Sequence, residues 1–241
     1  MQPVTPWLLA LAVTGLVACT SSQTATRESD SHSLTPERLS AQGNEPFWHL
    51  QVENGEATLQ RLGKDTVQLP VQHTRQDSST RVASETVEPL LEARFTTALC
   101  HDTMTGMPYP QHVSLRFQDR QYQGCGGDPA QLLQGVEWQV QQLGGQPVQD
   151  LGLTLQFTPE GRVSGHSGCN RFFGQYQLTG EGLTIGSLGS TKMACPGDPM
   201  TVEAHFLEQL QQVTLFDLKT DNNLQKLRLN TGGHPITALP R

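Results

Sequence analysis

The chain has 241 residues, with 23 Asp and Glu against 16 Lys and Arg, and a formal net charge of −7. An acidic chain without a basic cluster is a poor match for nucleic acid, and no nucleic-acid partner is expected. Aliphatic and aromatic content is modest while Gly, Pro, Gln and Thr are abundant, a balance that suits short strands, many turns and small cores.

The chain opens with an apolar run, Trp7 to Val17. It is too short to span a bilayer, which takes about 20 residues, and has the length of a signal-peptide core. Leu16-Val17-Ala18-Cys19 closes the run and fits the lipobox of bacterial lipoprotein precursors, in which the cysteine receives a diacylglycerol and the chain is cut just before it. Met1 to Pro6 departs from the usual leader in carrying no Lys or Arg. Residues 1–18 are therefore expected to be a lipoprotein signal peptide, with Cys19 as the lipidation site. The acyl chains would make the membrane a partner, since two or more hold a protein far better than one. Thr20, in place of an Asp that would favour inner-membrane retention, points to the periplasmic face of the outer membrane. Residues 19–40 read as the lipidated cysteine and a disordered tether, rich in Ser, Thr and charged residues.

Residues 41–128 read as a β-rich domain. Phe47 to Val52 and Ala57 to Leu62 flank Asn54-Gly55, the strongest short hairpin signal. Further strands are expected at Val67–Val71, Arg94–Leu99, and His112–Phe117 paired with Arg120–Gly124 around a turn at Asp119-Arg120. Asp128-Pro129 then starts a helical turn or two that Gly135 stops.

Residues 134–241 form a second block. Strands are expected at Trp138–Leu143, Leu153–Phe157, Phe172–Leu178 and Leu183–Ile185, with a turn at Gly144-Gly145. One helix begins at Asp198-Pro199, with Val202, Phe206, Leu207, Leu210 and Val213 on one face and Glu203, Glu208, Gln209 and Gln212 outside. Strands at Thr214–Leu218, Leu224–Leu229 and Ile236–Leu239 follow, with turns at Asp221-Asn222-Asn223 and Thr231-Gly232-Gly233. The fold class is mainly β with one helix (α+β), as two small antiparallel β-barrel-like domains.

Besides Cys19 there are four cysteines, Cys100, Cys125, Cys169 and Cys195, which allow three pairings. The local pairing, Cys100 with Cys125 and Cys169 with Cys195, closes one loop in each block and suits an oxidising compartment. Zinc is the rival, but no two cysteines have C-x-x-C spacing and the histidines are scattered.

Few motifs carry chemistry. Gly165-His166-Ser167-Gly168 falls short of a nucleophile elbow, because Cys169 stands where the second glycine is required. His101-Asp102 is a poor acid–base pair, since adjacent strand residues face opposite ways, and reads as structural or as an interface. A Cys169–Cys195 bridge would bring Arg171 and Lys192 together, with Asn170 beside them, as a small cationic candidate contact site; the plainer reading is turn chemistry, with Asn170 hydrogen-bonding its own backbone and Arg171 solvated. Phe47 and Trp48, two aromatics at the start of a strand, read first as a core anchor beside a turn, and otherwise as an aromatic candidate edge for a peptide or glycan. No catalytic, cofactor or metal residues are expected, and phosphate loops, dinucleotide fingerprints and calcium loops are absent from the sequence.

Gly161-Arg162-Val163-Ser164-Gly165, Gly168-Cys169-Asn170-Arg171-Phe172, Gly174-Gln175-Tyr176 and Ser190-Thr191-Lys192-Met193-Ala194-Cys195, with Trp138 and Leu143-Gly144 before them and Glu203 to Leu210 after, resemble the META (HslJ-like) domain. Gly43-Asn44-Glu45-Pro46-Phe47-Trp48, Cys100-His101-Asp102 and Gly124-Cys125 resemble an uncharacterised bacterial envelope family. The META resemblance implies a curved antiparallel sheet with a helix packed into it, an envelope setting, loose ties to stress responses, and no catalytic set. A structurally similar barrel serves as a lipid-binding pilotin. The resulting expectation is a non-enzymatic binding or stress-support lipoprotein whose ligand is a lipid, a peptide or an envelope protein. The alternative is an inhibitor of a lysozyme-like cell-wall hydrolase, for which a net charge of −7 suits a basic target.

Overall fold

Eight strands follow one another in chain order: β1 (Leu39–Asn44), β2 (Phe47–Glu53), β3 (Glu56–Arg61), β4 (Val67–Gln76), β5 (Ser79–Ser84), β6 (Leu91–His101), β7 (Pro108–Phe117) and β8 (Arg120–Gly126). Each pairs antiparallel with the next, and β8 returns to β1 through Ala41↔Gly126 and Gln42↔Cys125, closing the first barrel. The computed structural model describes residues 38–197, 199–221 and 224–241. The expected signal peptide, Cys19 and nearly all of the expected tether lie outside the described residues, as do the expected helix cap Asp198 and the turn residues Asn222 and Asn223.

Period-two alternation builds this barrel. Trp48, Leu50 and Val52 of β2, Ala57 and Leu59 of β3, and Val113, Leu115 and Phe117 of β7 all enter one apolar cluster. Each of the Leu, Val and Phe burials is worth about 2 kcal/mol, and Ala57 less. Asn54 (φ 54°) and Gly55 (φ 79°) make the tight turn between β2 and β3 that the Asn-Gly signal predicts. Three expectations change. Leu39 and Ser40 belong to β1 rather than to a tether, because Leu39 and Ala41 face the core. The strand β5 was not expected. The last turn is Gln118-Asp119 rather than Asp119-Arg120: Phe117 pairs with Arg120, the register that sets buried Leu115 opposite buried Tyr122.

A 3-10 turn, Pro129–Leu132, leads out of this barrel, capped by Asp128, whose Oδ1 accepts from the Ala130 N–H at 2.9 Å. The second barrel contains β9 (Glu137–Leu143), β10 (Gln146–Pro147), β11 (Thr154–Phe157), β12 (Arg162–His166), β13 (Arg171–Leu178), β14 (Leu183–Ile185) and β15 (Gly189–Ser190). The helix α1 (Pro199–Gln211) comes next, then β16 (Leu215–Asp221), β17 (Leu224–Asn230) and β18 (Ile236–Pro240). The sheet order is β14-β13-β12-β11-β9-β18-β17-β16, with β10 on β9 and β15 on β13. Its two ends approach where the Leu183 N–H donates to the Thr214 carbonyl at 2.9 Å, so the sheet is nearly closed. Phe206 and Leu210 of α1 are buried in its core, and Phe206 meets Phe172 edge-on at 5.7 Å. The fold is thus mainly β with one helix and two barrel-like sheets.

Two further expectations change here. Arg162–His166 forms a strand where none is expected from the sequence. Glu203, expected on the outer face of the helix, is buried with Phe206 and Leu210. The described residues fall in one compact unit, and the core of the second barrel runs on into the first through Cys100, Met107, Tyr109 and Cys125.

Candidate functional site

Phe47 and Trp48 are neighbours on β2 and therefore point to opposite sides of the sheet. Trp48 is only 4% exposed, and its Nε1–H donates to the Gln123 carbonyl at 3.2 Å. Its ring lies against Gly43 and Gly124, where an added Cβ would fall within 3 Å of indole atoms. Trp48 is therefore a core anchor, and its edge forms part of the wall of the cleft that Phe47 lines. Phe47 is 44% exposed and joins Leu62 (75%) and Met104 (69%) in lining a cleft of about 530 Å³ at one end of the first barrel. Gln42, Asn44, Gln60 and Glu181 give this cleft a polar border. His49 also lines it, and burial holds its imidazole below the ordinary histidine range.

The loop carrying Met104 is fixed by Asp102. One carboxylate oxygen accepts from the Met104 and Thr105 N–H groups at 3.0 and 2.8 Å and from the Thr105 hydroxyl at 3.0 Å. The other accepts from Asn44 Nδ2 at 3.0 Å, which ties the loop to the end of β1. Burial pushes the Asp102 carboxyl upward, but these hydrogen bonds outweigh it and hold the group below the usual carboxylate range. His101 points the other way, to Asp217 of the second barrel, with Nε2 2.8 Å from Oδ1. The pair thus divides into a structural Asp102 and a His101 that bridges the barrels. Behind it, Cys100 of β6 is bonded to Cys125 of β8.

The second bridge joins Cys169 to Cys195. Beside it, Asn170 is 2% exposed, which favours the structural reading of this residue over surface contact. Its backbone N–H and its Nδ2 donate to the two oxygens of Glu203 at 2.9 and 3.1 Å. Its Oδ1 accepts from the Met193 N–H and the Thr191 hydroxyl, both at 2.7 Å. Ser167 Oγ lies 2.8 Å from both the Asn170 carbonyl and Glu203 Oε2, and its one proton is shared between two acceptors. That hydroxyl is fully buried. Asn170 and Glu203 therefore lock α1 to the disulfide loop.

Arg171 and Lys192 are both exposed. The Thr191 N–H donates to the Arg171 carbonyl at 3.0 Å, which keeps the two segments adjacent. Arg171 lines a polar cleft of about 530 Å³ on the outer face of the sheet, and the second guanidinium there belongs to Arg241 rather than a Lys192 ammonium. Among the described residues no cluster of His, Cys, Asp or Glu is arranged to hold a metal ion, and no helix is long and apolar enough to cross a membrane.

Sequence reasoning missed Leu62, Met104, Arg241 and Glu203. Only Glu203 left a signal: Glu203, Phe206, Leu207 and Leu210 stand at i, i+3, i+4 and i+7, on one helix face.

The second half of the molecule is a nearly closed antiparallel barrel with one helix packed into it and a buried polar lock at the disulfide loop. It is a META domain: residues 131–241 match the model of that family. The match begins before Gly135, in keeping with Leu133, which is fully buried in the core of this barrel and whose carbonyl accepts from Trp138 Nε1 at 2.9 Å. The matched stretch does not include the first barrel. An NMR structure of a protein from Burkholderia xenovorans is similar at 29% identity, covering 46% of this chain and 86% of that one, with a TM-score of 0.39. A second NMR structure is 25% identical over 46% of this chain and 92% of its own, with a TM-score of 0.38. No curated protein matches the chain.

Proposed function

We propose that the protein is a non-enzymatic binding module of the bacterial envelope, lipid-anchored through Cys19, and that it takes an apolar peptide segment in the cleft at the end of the first barrel. The carrying observation is the convergence there of Phe47, Leu62 and Met104, which are among the most exposed large apolar side chains described. Scattered single apolar residues need no explanation, whereas three in one concave site with a polar border have the make-up of a binding surface. Gln60 supplies an amide of the kind an extended peptide backbone uses, and Gln42 and Asn44, whose N–H groups are held by Asp102, Thr103 and Tyr109, add amide oxygens as acceptors. The interior of the same barrel is filled by Trp48, Leu50, Leu59, Phe95 and Leu115, which supports a surface ligand over a lipid carried inside. The lipobox at Leu16–Cys19, the two disulfides and the META domain support the envelope setting and a part in stress tolerance.

The test is fluorescence anisotropy with a library of labelled apolar decapeptides and the purified protein, alongside Phe47→Asp. Selected peptides are expected to bind saturably and to lose about tenfold or more in affinity with Phe47→Asp, since the charge would be desolvated in the site. Equal affinity for the variant sinks the assignment of the cleft. A lipid that co-purifies in native mass spectrometry would replace the peptide reading with lipid carriage. Palmitate labelling of the wild type, lost in Cys19→Ser, checks the anchor.

A further inference from the structure

The outer face of β12 and β13 carries an arrangement that the apolar cleft does not use. In the antiparallel register Arg162 lies opposite Gln175, Ser164 opposite Phe173, and His166 opposite Arg171. The intervening Val163 and Phe172 are buried in the core, so these six side chains share the outward face. Phe173 is 63% exposed in the middle row. An aromatic ring left open in the centre of a polar sheet face has no packing role in the core.

Its position is fixed from one side. Phe173 pairs with Gly189 of β15, and a Cβ on Gly189 would fall 2.9 Å from the ring, so the ring rests on bare backbone. Gly174, Gly186 and Gly189 line the cleft of about 670 Å³ on that side, and Ser164 joins it to the polar cleft that holds Arg171. The guanidinium of Arg171 makes no hydrogen bond or ion pair to any described residue. Arg241, in the same cleft, is held by Glu137 at 3.0 Å, and Arg162 stands near Glu160. Gln139 and Gln156 add two amides.

We infer that this face of the META domain binds a carboxylate-bearing saccharide. The apolar C–H face of a sugar ring packs on an open aromatic ring, and amides and hydroxyls satisfy its hydroxyl groups. The unpaired planar guanidinium of Arg171 receives the carboxylate in a bidentate, charge-assisted contact. Arg171 and Phe173, two residues apart on one strand face, stand about 7 Å apart along the strand, close to the span of a sugar ring and its substituent. A nucleic acid would also stack on Phe173, but a chain of phosphates is repelled by a protein of net charge −7 that lacks a basic cluster.

The experiment is isothermal titration calorimetry of the full chain with three probes: trigalacturonate, its neutral galactose counterpart, and hexaglutamate. Trigalacturonate is expected to bind saturably and more tightly than the neutral trimer. Phe173→Ala should weaken both sugars about fivefold or more, the loss of one ring contact. Arg171→Gln should erase the preference for the acidic sugar while leaving the neutral one unchanged. Phe47→Asp should change nothing here, which separates this face from the cleft on the first barrel. Absence of saturable trigalacturonate binding overturns the inference, as does binding that Phe173→Ala leaves intact. Hexaglutamate bound as tightly as the sugar, with no dependence on Phe173, would make the face a general anion patch and overturn it equally.

Discussion

The first barrel is built from longer strands than the second and each holds one disulfide, and different chemistry brings their ends together. In the first barrel β1 and β8 meet through backbone alone, at a seam made of Gly43, Gly124 and Gly126. A Cβ on Gly124 would fall 1.9 Å from the Gln42 carbonyl oxygen, and one on Gly126 2.6 Å from a Val113 methyl. In the second barrel the strand ends meet at one backbone hydrogen bond, and α1 is held in place by the buried Glu203 carboxyl. Closure by backbone removes the sheet edges altogether. Closure by a helix leaves a polar lock that must be satisfied group by group. The first arrangement is vulnerable to added volume, the second to a lost acceptor.

The sharpest way to break this contrast is Gly124→Ala. The clash is with backbone, which cannot rotate away, so the strands must part, and a loss of roughly 4 kcal/mol is expected, at the upper end of overpacking effects. Gly233→Ala meets nothing within 4 Å and serves as the control, with a change of about 0.5 kcal/mol or less. Urea denaturation of both variants measures this. Near-equal stabilities would show that β1 and β8 are not tightly joined.

Glu203→Ala probes the other barrel. It strands the Asn170 N–H and takes a partner from Asn170 Nδ2 and Ser167, and a loss of about 3 kcal/mol is expected from buried donors left unpaired. Glu203→Gln keeps one acceptor oxygen and should cost less, about 1–2 kcal/mol. Denaturation in reducing buffer sharpens the reading, because the Cys169–Cys195 bridge flanks the same loop. If Glu203→Ala costs no more than a surface substitution, the helix is held by Phe206 and Leu210 alone.

These two positions also mark what the sequence made legible. The hairpin at Asn54-Gly55 and the turn at Gly144-Gly145 were readable because each demands positive φ from residues suited to it, and both have it. The META pattern was readable because its glycines and cysteines fall in order along the second half. The strand β1 was not, because Leu39, Ala41 and Gly43 alternate inward with little apolar area between them. Nor was β12, where Val163 is the single β-branched residue among Arg162, Ser164, Gly165 and His166. At the candidate sites, Phe47 and Arg171 were legible as exposed chemistry. Leu62 and Met104 were not, since only closure of the barrel brings a turn residue and the Asp102 loop to the same rim. Trp48 and Asn170 follow the plainer of their two readings, because a chemically capable side chain is withdrawn when alternation or a buried acceptor claims it.

The smallest expected effect concerns Asp102, which fixes the rim of the apolar cleft close to where the first barrel touches the second. Its carboxyl is held below the ordinary range in the folded chain, so the unfolded chain takes up the proton first as the pH falls. Its contribution is therefore fully present at neutral pH and is lost as the pH drops below about 4 toward the folded-state value. Asp102→Asn keeps an acceptor for the Met104 and Thr105 N–H groups but turns a donor toward Asn44 Nδ2, and a loss of about 1 kcal/mol at pH 7 is expected. Below pH 4 the difference between variant and wild type should shrink, because wild-type Asp102 itself takes up a proton there, while the other carboxyls titrate in both and cancel. Melting curves from pH 7 to pH 3 measure this difference directly. Because Cys100, Met107 and Tyr109, on either side of Asp102, are buried in the core of the second barrel, the acid-induced drop should appear as one transition of the whole molecule. Two separated transitions, with only the first shifted by Asp102→Asn, would show that the shared core does not couple the barrels and that the cleft opens independently of the META domain.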